Sequence, residues 1–212
     1  MNQIIYVNEP ADTKKFTRTF DQFYSSFAGI YSFFIRLFPI WKKWIGSVLP
    51  YIKGPNVLEI SFGTAYLLPC YAEKYKTCAM DYNHDFVKTA KQKLSQSGIS
   101  ADIQQADVEN MPYADESFDC IINTMAFTGY PNGQKALTEM RRILKPDGLL
   151  LMVDIDYPMN KNRIGVLLTK FWIMMGDLVR DMHTLFQDCN FTYKDIEIGG
   201  FGSVHLYIAE KS

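Results

Sequence analysis

The stretch Val57-Leu58-Glu59-Ile60-Ser61-Phe62-Gly63-Thr64-Ala65-Tyr66-Leu67 decides the fold class. It reads as an apolar strand that ends in an acidic residue and turns through small residues into a helix. Only small residues let a backbone approach a nucleoside ligand closely, so the turn predicts a cofactor site. Asp81 follows the second predicted strand, where a carboxylate can hold both ribose hydroxyls. An ordinary turn at Gly63 and a helix cap at Asp81 are the structural alternatives.

Short apolar runs continue along the chain, and helical periods separate them. The runs are Val57 to Ile60, Thr77 to Met80, Ile103 to Gln105, Cys120 to Asn123 and Leu149 to Ile155. Two further runs, Phe191 to Ile198 and Ser203 to Ala209, flank a glycine-rich turn and predict an antiparallel hairpin. The sequence therefore predicts an α/β fold: a Rossmann-like, doubly wound, mostly parallel seven-stranded sheet with a C-terminal antiparallel hairpin and an N-terminal helical arm.

Capping and turn residues predict where the helices begin and end. Asn83 is the expected N-cap of a helix that Gly98 closes. A second helix, from Ala136 to Leu144, ends at Pro146 and a turn at Asp147-Gly148. A last helix is predicted from Ile164 to Gln187.

The first part of the chain is rich in aromatic residues. Residues Phe16, Phe20, Phe23, Phe27, Ile30 and Phe34 recur at helical spacing and predict one face of a helix that ends before Pro39. We expect a single domain over residues 1–212, with 1–54 as a helical arm or lid and 55–212 as the cofactor-binding core. The aromatic face either packs on the sheet or meets an apolar acceptor or a membrane surface.

Composition limits the possible partners. Lys and Arg number 22 against 23 Asp and Glu, so no basic field predicts a nucleic-acid partner. Four widely spaced cysteines, Cys70, Cys78, Cys120 and Cys189, suit reduced thiols in a cytoplasm, and no metal site is expected. The N-terminus lacks the charge order of a signal peptide, so we expect a cytoplasmic protein.

Further motifs follow the third and fourth strands and give the chain a family resemblance. Residues 56–154 resemble the small-molecule class I methyltransferases, particularly the branch with ubiquinone/menaquinone-biosynthesis and phospholipid N-methyltransferases. The motifs that carry the resemblance are the Glu59-to-Ala65 turn, Asp81, Ala106-Asp107-Val108-Glu109-Asn110-Met111-Pro112, Ser117-Phe118-Asp119 and Arg142-Ile143-Leu144-Lys145-Pro146-Asp147-Gly148. The resemblance implies S-adenosylmethionine as cofactor and methyl transfer to a small-molecule or lipid-like acceptor.

The resemblance also implies roles for individual residues. It puts Glu59 and the turn of Ser61, Gly63 and Ala65 beside the methionine part of the cofactor. Asp81 would hold the ribose. The roles that remain are Tyr82 beside the adenine, Asp107 accepting from its amino group, Val108 donating its backbone N–H to the ring, and the backbone of Asn123 meeting the methionine ammonium.

Two positions depart from the family pattern, which has glycine where this chain has Ser61 and Ala65. A positive φ at either position would cost roughly 1 kcal/mol. Because of this departure, a non-catalytic binding protein that retains the fold is one alternative function. A nicotinamide-dependent oxidoreductase is the other alternative, although Tyr66 stands where its fingerprint wants a third small residue.

A sulfonium methyl is already activated, so such an enzyme needs chiefly to align the acceptor and exclude water. If a proton must leave the acceptor, a nearby Asp, His or Tyr would take it. The candidate catalytic residues are Tyr130, Asp156 and His205, with Tyr157 and His183 behind them, and Tyr24 of the arm as a residue that could close over the cofactor. Core packing or solvent exposure is the plain structural alternative for each of them.

Overall fold

The computed structural model describes residues 4–7, 9–19 and 39–211. Its strands are β1 (Asn56–Ile60), β2 (Lys76–Asp81), β3 (Asp102–Gln105), β4 (Phe118–Thr124), β5 (Leu144–Ile155), β6 (Phe191–Gly199) and β7 (Val204–Lys211). They form a seven-stranded sheet in the order β3-β2-β1-β4-β5-β7-β6. Strands β1 to β5 pair in parallel, and β7 is antiparallel to both β5 and β6. The predicted α/β class and antiparallel hairpin are confirmed.

Helices precede the first strand and connect the later ones. They are α1 (Pro39–Gly46), α2 (Leu68–Tyr71), α3 (His84–Gln96), α4 (Gly133–Ile143), α5 (Arg163–Met175) and α6 (Met182–Asp188), and residues 13–19 are also helical. Single 3₁₀ turns lie at Leu49–Tyr51, Ala72–Lys74, Phe127–Gly129 and Gly200–Gly202. Among the described residues, none of these helices has the length and apolar character to cross a membrane.

Two apolar layers cover the two faces of the sheet. Successive side chains of a strand point to opposite faces, so Leu58 joins one layer and Val57 the other. The apolar side of α4 packs in the layer of Leu58, and that of α3 packs in the layer of Val57. The sheet is therefore covered on both faces. The side that stays open is formed by the carboxyl ends of the parallel strands, and we call it the open edge of the sheet.

The predicted N-cap at Asn83 is confirmed, whereas the second predicted helix ends earlier, at Ile143, and Leu144 to Gly148 belong to β5. The side chain of Asn83 accepts hydrogen bonds from the backbone N–H groups of Asp85 (2.9 Å) and Phe86 (3.1 Å). Strand β5 begins at Leu144 and not at Leu149, because Leu144 already pairs with β4. The predicted turn is an irregularity inside the strand, where Asp147 has a φ of 61°.

The single helix predicted from Ile164 to Gln187 is wrong. Helix α5 ends at Gly176, whose φ of 113° gives the left-handed C-cap that glycine favours. A new helix, α6, starts after Asp181, whose side chain accepts from the N–H of Thr184 at 3.2 Å. The segment between the two helices crosses the open edge of the sheet and brings Asp177 there.

Asp119 and Arg142, which belong to the family motifs, hold the scaffold together. The carboxylate of Asp119 accepts from the backbone and side-chain N–H of Asn56 and from Lys145, each at 2.9 Å. The guanidinium of Arg142 donates to both carboxylate oxygens of Glu139, each at 2.8 Å. The bonds of Asp119 tie β1, β4 and β5 together, and those between Arg142 and Glu139 lie within α4, so this part of the resemblance reports on the fold.

Most of the aromatic face predicted for the arm, from Phe20 to Phe34, falls outside the described residues. Phe16 lies in the helical stretch 13–19. Farther along, α1 packs on the core through the buried Ile45. The predicted helix ending before Pro39 therefore stays a prediction.

Candidate active site

The turn after β1 is built from three residues in the left-handed region of backbone space. Ser61, Gly63 and Ala65 have φ values of 55°, 53° and 52°. Glycine adopts this conformation freely, whereas serine and alanine pay about 1 kcal/mol for it. Both positions at which this chain departs from the family's glycine therefore have a positive φ, so this turn is strained.

A cleft of about 730 Å³ opens beside this turn, at the edge where the parallel strands end. Asp81 lies in its wall, and its carboxylate accepts from the backbone N–H of Gly63 and of Asn83, each at 2.9 Å. A Cβ added at Gly63 would meet no atom within 4 Å, so the backbone here faces open space. A ligand in the cleft can therefore approach this backbone directly.

Most of the predicted cofactor-binding residues line this cleft. They are Glu59, Ser61, Gly63, Asp81, Tyr82, Asp107 and Val108. Asp107 begins a tight turn in which its side chain accepts from the N–H of Glu109 at 2.9 Å. Ala65 and Asn123 are fully buried behind the lining. The structure thus gathers seven of nine residues from three strand ends, while their binding roles stay predictions.

Glu59 is a buried acid at the base of the cleft. The hydroxyl of Tyr71 donates to its carboxyl oxygen at 2.8 Å. Burial is the main cause that raises its pKa to about 8, the charge of Asp81 adds to the rise, and the bond from Tyr71 opposes it. Glu59 is therefore neutral near pH 7 in this structure.

Tyr130 also lines the cleft, and its hydroxyl is held by two polar side chains. It shares a hydrogen bond with the Ser61 hydroxyl at 2.8 Å and accepts one from the Asn123 amide at 2.6 Å. Burial raises the pKa of Tyr130, so the hydroxyl stays protonated. The serine that replaces the expected glycine thus fixes a predicted catalytic residue in place.

A pair of acids beside the cleft was missed by the sequence analysis. The Thr128 hydroxyl lies 2.9 Å from the Asp154 carboxylate and 2.8 Å from that of Asp177, which lines the cleft. A hydroxyl has one proton to donate, so the second contact needs a protonated acid. Asp154 also accepts from the backbone N–H of Thr128 and Ile155, so its ionised form is the better stabilised.

The proton of this pair therefore resides on Asp177. Burial first, and then the charge of Asp154, raise the pKa of Asp177 to about 7. The two acids titrate as a coupled pair because they share the Thr128 hydroxyl. An acid that gains and loses a proton near neutral pH in a cleft is suited to proton transfer.

Asp156 and His205 lie in a second cavity of about 200 Å³, apart from the residues that line the cleft. The Tyr207 hydroxyl donates to Asp156 at 2.6 Å, and burial is the main cause that raises the pKa of Asp156 to about 6. The ring nitrogens of His205 face the Asp195 carboxylate at 2.7 Å and the Gly202 carbonyl at 2.9 Å.

Both neighbours of the His205 ring are acceptors, so the ring donates from both nitrogens and carries a positive charge. Burial disfavours that charge, yet the bond and the charge of Asp195 outweigh it and raise the pKa of His205. Neither nitrogen is open to accept a proton in this state.

Two other sequence candidates, Tyr157 and His183, also line the second cavity. The Tyr157 hydroxyl donates to the Ile5 carbonyl at 3.1 Å. His183 is exposed and lies 2.7 Å from the Tyr193 hydroxyl. Tyr24 is outside the described residues. The arm does reach the cleft, because Thr13, Lys14, Thr17 and Arg18 line it.

This chain is similar in sequence and in fold to known methyltransferases. Residues 58–152 match the family described as a methyltransferase domain. The ubiquinone/menaquinone biosynthesis C-methyltransferase UbiE of Francisella tularensis subsp. novicida is 34% identical over 131 residues, which is 56% of this chain and 50% of that protein. The Klebsiella pneumoniae protein of the same name is 30% identical over 125 residues, with the same coverage. The chain thus spans about half the length of these curated relatives.

The solved structures support the fold. A Thermotoga maritima protein, described as an S-adenosylmethionine-dependent methyltransferase and possible histamine N-methyltransferase, aligns with a TM-score of 0.71. The alignment covers 91% of this chain and 100% of the Thermotoga maritima chain. The two sequences are 16% identical, so the match is evidence for the fold alone. Together with the sheet order, these matches show that residues 58–152 are similar in sequence to a methyltransferase domain and that the chain shares the α/β fold of solved methyltransferases.

Proposed function

We propose that this protein transfers a methyl group from S-adenosylmethionine to a small quinone-like or lipid-like acceptor. The observation that carries the proposal is the cleft at the strand ends, where Gly63, Asp81 and Asp107 line one cavity. Its volume of about 730 Å³ lies in the range of pockets that bury a cofactor-sized ligand. The names of the two curated relatives favour a quinone-like acceptor and transfer to carbon.

The residues present in the cleft fit S-adenosylmethionine. The open space over Gly63 leaves room for the methionine part of the cofactor. The Asp81 carboxylate, which two backbone N–H groups orient, suits the ribose. Tyr82 is half exposed beside the cleft and offers a ring face to the adenine. Asp107 and Val108 would bind the polar edge of that base, and Glu59 would face the methionine ammonium.

When bound, the cofactor supplies a methyl group on a positively charged sulfur. Transfer to carbon would replace the sulfur–methyl bond by a carbon–methyl bond, and the acceptor carbon would have to give up its proton to a base of the protein. We assign acceptance of that proton to Asp177, because it lines the cleft and is linked through Thr128 to the ionised Asp154. Its pKa of about 7 leaves a large share of the base form available near neutral pH.

Tyr130 has a different role in this proposal. Its hydroxyl is held by Ser61 and Asn123 and stays protonated, so it would orient an acceptor oxygen by donating or sharing a hydrogen bond. Asp156 and His205, predicted from sequence as catalytic residues, face the second cavity. Proton transfer is therefore assigned to Asp177 in preference to either of them.

Residues 1–54 form the arm of the single domain that we propose. Its helical stretch 13–19 contributes four residues to the cleft wall, which supports a lid that covers the acceptor. Membrane contact through the aromatic face of the arm rests on sequence alone. Unpaired cysteines at all four positions agree with the cytoplasmic location that we expect.

Calorimetry with S-adenosylmethionine and S-adenosylhomocysteine tests the cofactor site. We expect binding that Asp81→Ala and Asp107→Ala each weaken at least about tenfold, since each removes a hydrogen bond to a buried polar group. Asp188→Ala, which removes an exposed aspartate on α6, is the matched control and should bind like the unmodified chain. No binding by the unmodified chain would refute the proposal.

Methyl transfer is tested next, with labelled cofactor and hydroquinone, phenol and amine acceptors. Labelled methyl on a hydroquinone carbon is the expected result. Cofactor binding without transfer to any acceptor class would favour a non-catalytic binding protein, which the strained Ser61 and Ala65 keep as the second candidate. The nicotinamide-dependent oxidoreductase gains no support from the sequence relatives.

A further inference from the structure

Helix α5 presents large apolar side chains to solvent at helical spacing. Ile164, Leu167, Phe171 and Met174 follow one another at intervals of three or four residues, and we call them the α5 stripe. Leu167 and Met174 are 69% and 74% exposed. A row of exposed, large apolar side chains of this kind indicates an interaction site.

The opposite face of the same helix is committed to the core. Gly165, Val166 and Thr169 are buried, and the Thr169 hydroxyl donates to the Asp156 carbonyl at 2.8 Å. The helix therefore cannot rotate to bury the α5 stripe without losing this packing. The stripe stays on the surface unless something outside the described residues covers it.

Phe201 is a further exposed apolar side chain, in a turn that is bonded to the start of α5. It lies in the turn between β6 and β7, is 65% exposed, and has a φ of 54°, which is unfavourable for a large side chain. The Asn162 side chain donates to the Phe201 carbonyl at 2.8 Å, at the start of α5. At Gly165 a Cβ would collide with the same carbonyl, so turn and helix form one rigid surface.

The charged side chains of the α5 segment itself have one sign, and the carboxylate of Glu197 on β6 lies beside the Phe201 turn, where it accepts from the Met159 N–H. From Asn160 to Gly176 the sequence has three cations, Lys161, Arg163 and Lys170, and no Asp or Glu. All three cations are exposed, and Arg163 and Lys170 lie two helical turns apart on the solvent side. Their long stems can lie along an apolar layer while their charged ends reach anionic groups.

We propose that the α5 stripe and Phe201 dock on the surface of an anionic phospholipid bilayer, with α5 lying in the plane of the interface. An apolar helix face beside basic residues is the pattern of such helices. A second copy of the chain fits worse, because a two-fold contact through α5 would bring its cations towards each other. The charges thus favour an anionic surface over self-association.

The docking surface also connects with the cleft. The Trp172 ring of α5 lies 6.3 Å from that of Trp41 of α1, and Trp41 lines the cleft. An apolar acceptor dissolved in the bilayer would therefore meet aromatic side chains on the way from the α5 stripe to the cleft. Docking itself rests on the surface and not on methyl transfer.

Co-sedimentation of the full chain with vesicles tests the proposal without any cofactor. We expect binding to phosphatidylcholine vesicles that contain phosphatidylglycerol, weaker binding to pure phosphatidylcholine, and weaker binding at high salt. Leu167→Gln combined with Phe171→Gln should lower the partition coefficient at least about tenfold. Tyr51→Gln, at an exposed aromatic residue outside α5, is the control and should leave partition unchanged.

Other outcomes would overturn the proposal. Vesicle binding that survives the double substitution, yet is lost with Phe27→Ser and Phe34→Ser, would put the contact in the arm. A dimer in analytical ultracentrifugation that the double substitution dissociates would make the stripe an interface between copies. Unchanged urea unfolding and cofactor binding in the double variant would show that fold and cleft are intact, which separates this test from that of the proposed function.

Discussion

Replacing Glu59 by glutamine should make this protein more stable near neutral pH. The folded-state pKa of Glu59 is about 8, against an ordinary value of 4.5, chiefly because the carboxyl is buried. At pH 7 the folded chain must therefore hold a proton that the unfolded chain releases. Glutamine has nearly the same shape, is neutral in both states, and still accepts the bond from Tyr71.

The size of this effect follows from the two pKa values. Each pKa unit corresponds to about 1.4 kcal/mol, so taking up the proton at pH 7 costs the folded state about 3 kcal/mol. Because the folded-state pKa is raised, the favourable contribution of Glu59 is complete below pH 4.5 and is lost as the pH rises to about 8. Glu59→Gln should therefore gain about 3 kcal/mol at pH 7 and little at pH 4.

Urea unfolding at pH 4, 6, 7 and 8 measures this gain. Glu73→Gln, the same chemical change at an exposed glutamate of the following 3₁₀ turn, is the control and should change stability by less than about 0.5 kcal/mol at every pH. The same Glu59 variant should bind S-adenosylmethionine at least about tenfold more weakly, because it cannot ionise beside the ammonium. Equal unfolding free energies of Glu59→Gln and the unmodified chain at pH 7 would refute the reasoning.

Three other substitutions give separate predictions. Asp177→Asn should lower kcat/KM for methyl transfer to carbon by about a hundredfold or more and remove the rise of rate through pH 7; an unchanged pH profile would exclude Asp177 as the proton acceptor. Gly63→Ala meets no atom but keeps a φ of 53°, so we expect a loss of about 1 kcal/mol in thermal unfolding together with weaker cofactor binding. Asp119→Ala removes hydrogen bonds to Asn56 and Lys145, and chemical denaturation should show a loss of about 2 kcal/mol with cofactor affinity unchanged.

Local signals were enough to predict the sheet and most helix ends. The period of two in the strands decides which side chains face each layer, and Asn83 caps its helix through bonds to residues two and three positions away. The predicted helix from Ile164 to Gln187 failed because an apolar period continues across Gly176. A single glycine inside a periodic segment is a weak break signal, whereas its left-handed φ in the structure is decisive.

The acid pair could not be predicted because it depends on contacts between distant parts of the chain. Asp177 lies 49 residues from Thr128, and its distance from Asp154 is set by where α5 ends. One signal was present in the sequence, because a glycine such as Gly176 commonly ends a helix. A helix end there would have predicted that Asp177 lies in a loop at the edge of the sheet. The bond between Ser61 and Tyr130 was equally out of reach, since it spans 69 residues.

Buried acids with raised pKa values recur along the open edge of the sheet, and their cost argues for a role. Because the folded-state pKa values of Glu59 and Asp177 are raised, the free energy of unfolding falls as the pH rises through neutrality. The proposed cofactor carries a positive sulfonium and an ammonium, so its arrival favours the ionised form of Glu59. Cofactor binding near pH 7 should therefore release a proton, and the affinity should rise with pH up to about 8, the pKa of the free acid. A neutral residue would avoid the cost but could not respond to the charge of the ligand, which is why functional sites keep such acids.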